Sequence, residues 1–317
     1  MNKIFKTFLA ASVAFVAVAC NLDQVNDIYT PEGNEPSMFY VVYSETELDA
    51  SLETVSIPVV RSNSAEAATV NLTATLPVGI VVAGNATAVE TLENGNTVYN
   101  TSVSFAAGEA QVGCVLNVSA MEVGTTYKGT VAIAEGEEVN EHTINKETAF
   151  TLAKAYTWVS LGEGEWFDQL SLVASSTDLG IQTVEVLKAD GFERYRIVNP
   201  YADTDQIAAA WGESCVGGNK SSVIEFWVLD NGTNVAWDSW WYPGILYDGD
   251  GTDIKAYLPS ALSSSLASQD AMSLFIEEKV VEFRPYWYID ELGAGFGTKY
   301  PCYLTLPGGP SMLEVLN

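Results

Sequence analysis

The chain has 317 residues, with 41 acidic against 14 basic side chains and a formal net charge of −27. A balance this acidic is repelled by nucleic acid and by anionic lipid surfaces, which excludes both as electrostatic partners. Hydrophobic residues make up 48% of the chain, enough to bury a sizeable core, and the length favours two domains.

Residues 1–19 have the layout of an export signal. Asn2 to Lys6 is a basic opening, Phe8 to Val18 an apolar run too short for an ordinary membrane span, and small residues crowd its end. The run Phe15-Val16-Ala17-Val18-Ala19-Cys20 resembles a bacterial lipobox. The resemblance implies cleavage before Cys20, acylation of that residue and a mature chain tethered to the lipid bilayer. A plain secretory signal with a chance cysteine is the alternative. Asn21 stands where an aspartate would resemble an inner-membrane retention signal, and Asp23 and Asp27 are similar to acidic export tags. The expected address is therefore the outer membrane, on its cell-surface face. No later stretch has the length of a transmembrane helix. Residues 20–36 hold few large apolar groups and read as a flexible stalk.

From 37 to 153 the apolar residues alternate with period two. Val55, Ile57 and Val59 share one strand face, and so do Val70, Leu72, Ala74 and Leu76. Val112, Cys114, Leu116 and Val118 repeat the pattern, followed by Tyr127, Gly129, Val131 and Ile133. Half-buried strands separated by Gly84-Asn85, Asn94-Gly95-Asn96 and Ala107-Gly108-Glu109 predict an antiparallel sandwich. The order of Val55 to Arg61, Thr69 to Thr75, Val103 to Glu109 and Tyr127 to Ile133 resembles a Calx-beta or similar immunoglobulin-like module. Calcium-binding members of that group carry clustered acidic loops, and the comparable run here is Glu135-Gly136-Glu137-Glu138. Its simpler reading is a solvated turn.

Residues 154–317 are aromatic-rich, with every tryptophan between Trp158 and Trp287. The segments Thr157 to Asp168 and Glu193 to Tyr201, with the ending Tyr300 to Gly309, resemble the C-terminal domain of Bacteroidetes-type surface lipoproteins. The residues themselves predict mainly sheet. Val223 to Leu229 and Val235 to Tyr242, joined by Asp230-Asn231-Gly232, read as a hairpin, and Lys279 to Ile289 as a further strand. Asp203 caps a predicted short helix to Trp211 with Ile207, Ala208 and Trp211 on one face; Pro259 to Gln269 is a second short helix or a long loop. The expected fold is all-β, an immunoglobulin-like antiparallel sandwich followed by a second mainly antiparallel β domain with one or two short helices.

Several chemistries lack their residues. His142 is the one histidine, so a Ser-His-Asp triad or a histidine-rich zinc site has nothing to build on. Cys114, Cys215 and Cys302 allow at most one disulfide, and Cys114 among apolar neighbours reads as a buried inert thiol. No Walker-type loop occurs, and Gly293 to Gly297 reads as a flexible hairpin loop. Glu163, Glu165 and Asp168 form the best local carboxylate cluster for glycoside hydrolysis, although a solvated turn explains them as well. Asp248, Asp250 and Asp253 alternate on a glycine-bent loop that suits calcium, the one cofactor the sequence suggests. Glycine and the bidentate glutamate are missing from the EF-hand positions, which favours a tight acidic turn.

The aromatic groups carry the functional expectation. Trp237, Trp240, Trp241, Tyr242 and Trp287, with Tyr286 and Tyr288, offer flat faces for sugar rings, flanked by Asp238 and Asp290. In a strand, however, Trp237 and Trp241 face one way while Asp238, Trp240 and Tyr242 face the other, so one set belongs to the core. Arg194 and Arg196 read as braces of the fold. The expectation is a non-catalytic surface lipoprotein that binds a polysaccharide as part of an outer-membrane glycan-uptake complex. A structural or adhesive protein with a protein partner is the alternative, and a glycoside hydrolase comes third.

Overall fold

The computed structural model describes residues 36–38, 43–61, 63–137, 146–212, 221–247, 252–276 and 279–317. The export segment, Cys20, the stalk up to residue 35, Glu138, His142, Cys215, Asp248 and Asp250 lie outside these residues. The chain divides into two compact units, Met1–Tyr156 and Thr157–Asn317.

Among the described residues the first unit is a sandwich of ten strands: β1 (Pro36–Met38), β2 (Tyr43–Leu48), β3 (Thr54–Arg61), β4 (Ala68–Leu76), β5 (Val81–Val82), β6 (Ala86–Thr91), β7 (Thr97–Phe105), β8 (Gln111–Asn117), β9 (Thr126–Ile133) and β10 (Glu147–Lys154). One sheet runs β1-β3-β8-β5 and the other β2-β10-β9-β4-β7-β6. All pairs are antiparallel except β2 with β10. Two sheets linked by crossovers make the immunoglobulin-like arrangement. The period-two pattern decides which faces meet. Ile57, Val59, Cys114 and Leu116 from one sheet pack against Val70, Leu72, Ala74, Leu76, Val131, Phe150 and Leu152 from the other. Arg61, buried at the end of β3, lies over the Phe105 ring at 4.7 Å and donates to the carbonyls of Ala106 and Glu109, fixing the β7–β8 turn. Burial pushes the Cys114 thiol up to about 11, which leaves it unreactive.

The second unit contains β11 (Trp158–Asp168), β12 (Gln182–Ala189), β13 (Arg194–Val198), β14 (Val223–Val228), β15 (Val235–Trp237), β16 (Trp240–Trp241), β17 (Leu246–Tyr247), β18 (Thr252–Asp253), β19 (Lys255–Tyr257), β20 (Leu274–Ile276), β21 (Val280–Phe283), β22 (Tyr286–Ile289), β23 (Ala294–Gly297) and β24 (Cys302–Thr305). An eight-stranded antiparallel sheet has the order β15-β14-β13-β12-β11-β24-β21-β20, and a four-stranded one β16-β19-β22-β23. Their facing sides form one core, with Trp166, Tyr195, Phe226, Trp237 and Phe283 from the large sheet and Trp241, Ala256, Trp287 and Ile289 from the small one.

Three sequence expectations change here. The stretch from Val235 to Tyr242 does not run on as one strand: it leaves the large sheet after Trp237 and joins the small one at Trp240. Lys279 to Ile289 likewise divides at Arg284-Pro285, because proline has no N–H to give the ladder. Gly293 to Gly297 is not a loop, since Ala294–Gly297 pairs with β22. A Cβ on Gly295 would lie 2.1 Å from the Trp287 carbonyl oxygen, so only glycine permits this pairing. The helix Thr204–Trp211 is capped by the Asp203 side chain, which accepts from the Asp205 and Gln206 amides at 3.1 Å. It buries Ile207, half-buries Trp211 and leaves Ala208 exposed. Pro259 to Gln269 becomes a four-residue helix, Pro259–Leu262, running into a 3-10 helix, Ser264–Met272.

One polar chain crosses this core. Asp168, fully buried at the end of β11, accepts from the Leu170 and Ser171 amides at 2.8 and 3.1 Å. The Tyr201 hydroxyl donates to its other oxygen at 2.8 Å and accepts from Trp241 Nε1 at 2.9 Å. Replacing Tyr201 with Phe orphans a buried carboxylate oxygen and an indole N–H together. Tyr201→Phe is therefore expected to cost about 2–4 kcal/mol in urea-unfolding free energy. Burial raises the Asp168 carboxyl above its ordinary value, opposed by its hydrogen bonds, so folding favours the protonated acid. That contribution is whole below pH 3.8 and is lost as pH rises through the raised folded value. Wild type should accordingly gain stability relative to Asp168→Asn as the pH falls from about 7 toward about 4, read from urea midpoints.

Candidate functional site

The small sheet presents its outer side as an aromatic face. Side chains in a strand alternate between faces, so with Trp241, Ala256, Trp287 and Ile289 turned inward, their neighbours Trp240, Lys255, Tyr257, Tyr286 and Tyr288 turn outward. The register brings them together: Trp240 stands opposite Tyr257, Tyr257 opposite Tyr286, and Lys255 opposite Tyr288. Ring centroids are 6.4 Å apart for Trp240 and Tyr257, 6.2 Å for Tyr257 and Tyr288, and 6.3 Å for Tyr288 and Tyr286.

Polar groups are set into this face at one place. The Lys255 ammonium lies 4.7 Å from the centre of the Trp240 ring and 2.7 Å from Asp290 Oδ2. The Tyr257 hydroxyl donates to both Asp290 oxygens at 2.8 and 2.9 Å. Burial raises the Asp290 carboxyl, but the hydrogen bonds from Lys255 and Tyr257 outweigh it and hold the group below the ordinary carboxylate value. Burial, the bond to Asp290 and the charges of Asp290 and Glu291 push the Tyr257 hydroxyl up to about 12. The cluster thus sets a lysine amine, a carboxylate and a neutral phenol beside the outward rings. Such a set forms hydrogen bonds in both directions and stacks on flat apolar faces.

The sequence candidates separate accordingly. Trp237, Trp241 and Trp287, expected as stacking surfaces, are 1%, 6% and 0% exposed and belong to the core. The Trp237 and Trp241 rings meet at 5.2 Å, tilted by 59°, and Trp287 donates to the Tyr300 carbonyl at 2.8 Å. Trp240 is 45% exposed, Tyr242 is half-buried, and Asp238 is exposed in the crossing segment before Trp240. Tyr286, Tyr288 and Asp290 join Trp240 as expected neighbours. Lys255 and Tyr257 were not singled out; the signal was the alternation Lys255-Ala256-Tyr257, in a strand too short to stand out by periodicity.

The remaining candidates do not converge. Of the carboxylate cluster, Glu163 is exposed, Glu165 accepts from the Met312 amide of the C-terminal helix Met312–Leu316, and Asp168 is buried in the core. Asp253 pairs with Leu246 across the β17–β18 ribbon. Glu137 accepts from Asn71 Nδ2. Among the described residues no three His, Cys, Asp or Glu side chains group as metal ligands. Arg194 and Arg196 brace the large sheet: both pair with Glu225, while Arg194 lies over Trp227 at 4.4 Å and Arg196 over Trp158 at 3.9 Å.

No family model matches the chain, and no curated protein matches it. Among solved structures it is similar to the calcium binding domain CBD12 of CALX1.1, with 9% identity and a TM-score of 0.24, covering 49% of this chain and 76% of that chain. CBD12 from CALX1.2 gives 9% identity and a TM-score of 0.25 over the same shares. The calcium named for those domains belongs to those proteins.

The inward and outward tryptophans make opposite predictions. Trp241→Ala opens the core and should cost about 3–5 kcal/mol. Trp240→Ala should cost under about 1 kcal/mol by the same urea titration.

Proposed function

We propose that the protein is a non-catalytic, lipid-anchored surface protein whose C-terminal unit holds a carbohydrate on the face formed by Trp240, Tyr257, Tyr288 and Tyr286. The observation that carries this reading is the row of outward rings beside the Lys255–Asp290 pair. Aromatic rings stack on the apolar faces of pyranoses while a few convergent polar groups take the hydroxyls. A row of half-exposed tyrosines and an exposed tryptophan contributes little to the core, so its retention on one face fits a ligand surface. Acylated Cys20 would supply the anchor in the outer membrane, with an outer-membrane glycan-uptake complex as its partner. The placement of Glu163, Glu165 and Asp168 does not favour hydrolysis, because Glu163 is exposed, Glu165 accepts from the Met312 amide and Asp168 is buried.

Isothermal titration of the purified protein against a broad glycan panel tests the reading. At least one glycan should bind, and Trp240→Ala should weaken it about tenfold or more while leaving the urea midpoint in place. Failure of every glycan to bind the folded protein would count against a carbohydrate role and favour a protein partner. In cells, Cys20→Ala should abolish incorporation of labelled palmitate into the protein.

A further inference from the structure

The binding face also specifies what kind of carbohydrate it takes, an inference that rests on the carbohydrate reading above. Neighbouring ring planes are inclined by 47° between Trp240 and Tyr257, 85° between Tyr257 and Tyr288, and 57° between Tyr288 and Tyr286. A crystalline polysaccharide surface is flat and needs rings that lie in one plane. Here a sugar that stacks on one ring meets its neighbour tilted or edge-on, so the face suits one or two units of a single, freely curving chain. The Lys255 ammonium lies 4.7 Å from the centre of the Trp240 ring, so charge and ring are presented side by side.

Charge narrows the choice further. Lys255 is the cation set into this face, and its charge is matched by Asp290 at 2.7 Å. Glu291 follows Asp290 and is exposed, and Asp238, also exposed, stands two residues before Trp240. Lys255 is therefore answered by Asp290, with the charge of Glu291 also acting on Tyr257, within a chain of net charge −27. A uronate or sulfated sugar would enter a field of its own sign, and like-charge approach is disfavoured unless a free cation answers it. An uncharged sugar meets no such field. Its adjacent hydroxyls can donate to Asp290 and accept from Lys255 at once, and hydrogen bonds to charged groups are the stronger kind.

We infer that this face binds an uncharged sugar within a soluble chain, with the Lys255–Asp290 pair reading two adjacent hydroxyls beside the outward rings.

The test uses the full-length protein and three classes of probe: neutral oligosaccharides of glucose, xylose and mannose, oligogalacturonate of matched length, and microcrystalline cellulose. At low salt the best neutral oligosaccharide should bind at least about tenfold tighter than oligogalacturonate, and this gap should narrow at high salt as charges are screened. Its own affinity should change by less than about twofold with salt. Asp290→Asn and Lys255→Gln should each weaken it about fivefold or more, with the urea midpoint kept in at least one of the two. Preference for oligogalacturonate or for crystalline cellulose would overturn this inference and leave the carbohydrate reading standing. So would neutral binding unchanged in both variants. Absence of binding to every probe and to the broader panel would overturn the carbohydrate reading, and this inference with it.

Discussion

The C-terminal unit depends on a carboxylate that has no contact with water. Asp168 ends a strand of the large sheet, Tyr201 follows another, and Trp241 belongs to the small sheet, so the hydrogen bonds among them tie both layers at the middle of the core. A charge in such a place is costly unless every lone pair is met. Here two backbone amides and a phenol offset only part of that cost, so the carboxyl is raised above its ordinary value, and burial together with Asp168 pushes the neighbouring Cys302 thiol well up, so that it stays neutral. The geometry that satisfies Asp168 also fixes which way Trp241 points. Because adjacent residues in a strand face opposite sides, pointing Trp241 inward commits Trp240 to solvent.

Tryptophan thus serves three ends in one unit. Trp166, Trp237, Trp241 and Trp287 fill the space between the sheets, where Trp166 meets Tyr201, Trp241 and Phe283 at 5.7–6.3 Å. Trp158 and Trp227 lie beneath guanidinium groups on the outer side of the large sheet, forming with Arg194, Glu225 and Arg196 a continuous stack of cations, rings and one shared carboxylate. That stack consumes the ring faces it uses. On the small sheet Trp240 is exposed, and there the tyrosines gather beside it.

Much of the fold was legible because period-two alternation records burial directly. Val70, Leu72, Ala74 and Leu76 alternate in sequence and are buried together, and the Asp203 cap announces its helix. The failures were of continuity. Val235 to Tyr242 and Lys279 to Ile289 read as unbroken strands, yet each changes sheet midway, and apolar patterning is the same on both sides of such a crossing. Pro285 was the available sign of the second crossing; Asp238-Ser239 gave only a weak one. For the site, alternation separated Trp241 from Trp240 correctly in kind, but which set faced the core depends on the second sheet that covers it. Lys255 and Tyr257 escaped notice because a three-residue strand carries too little period to stand out.

The alternation along β16, β19 and β22 has an evolutionary consequence. Each position of the outer face is covalently next to a core residue, Trp240 beside Trp241, Tyr257 beside Ala256, and Tyr286 and Tyr288 around Trp287, yet the backbone sheet stands between the two sets. Substitutions on the outer side therefore alter the chemistry of the surface without opening the interior, so surface chemistry and stability can be selected almost independently. A scaffold of this kind leaves four or five outer positions free to change while the buried tryptophans and the Asp168 chain keep the core closed.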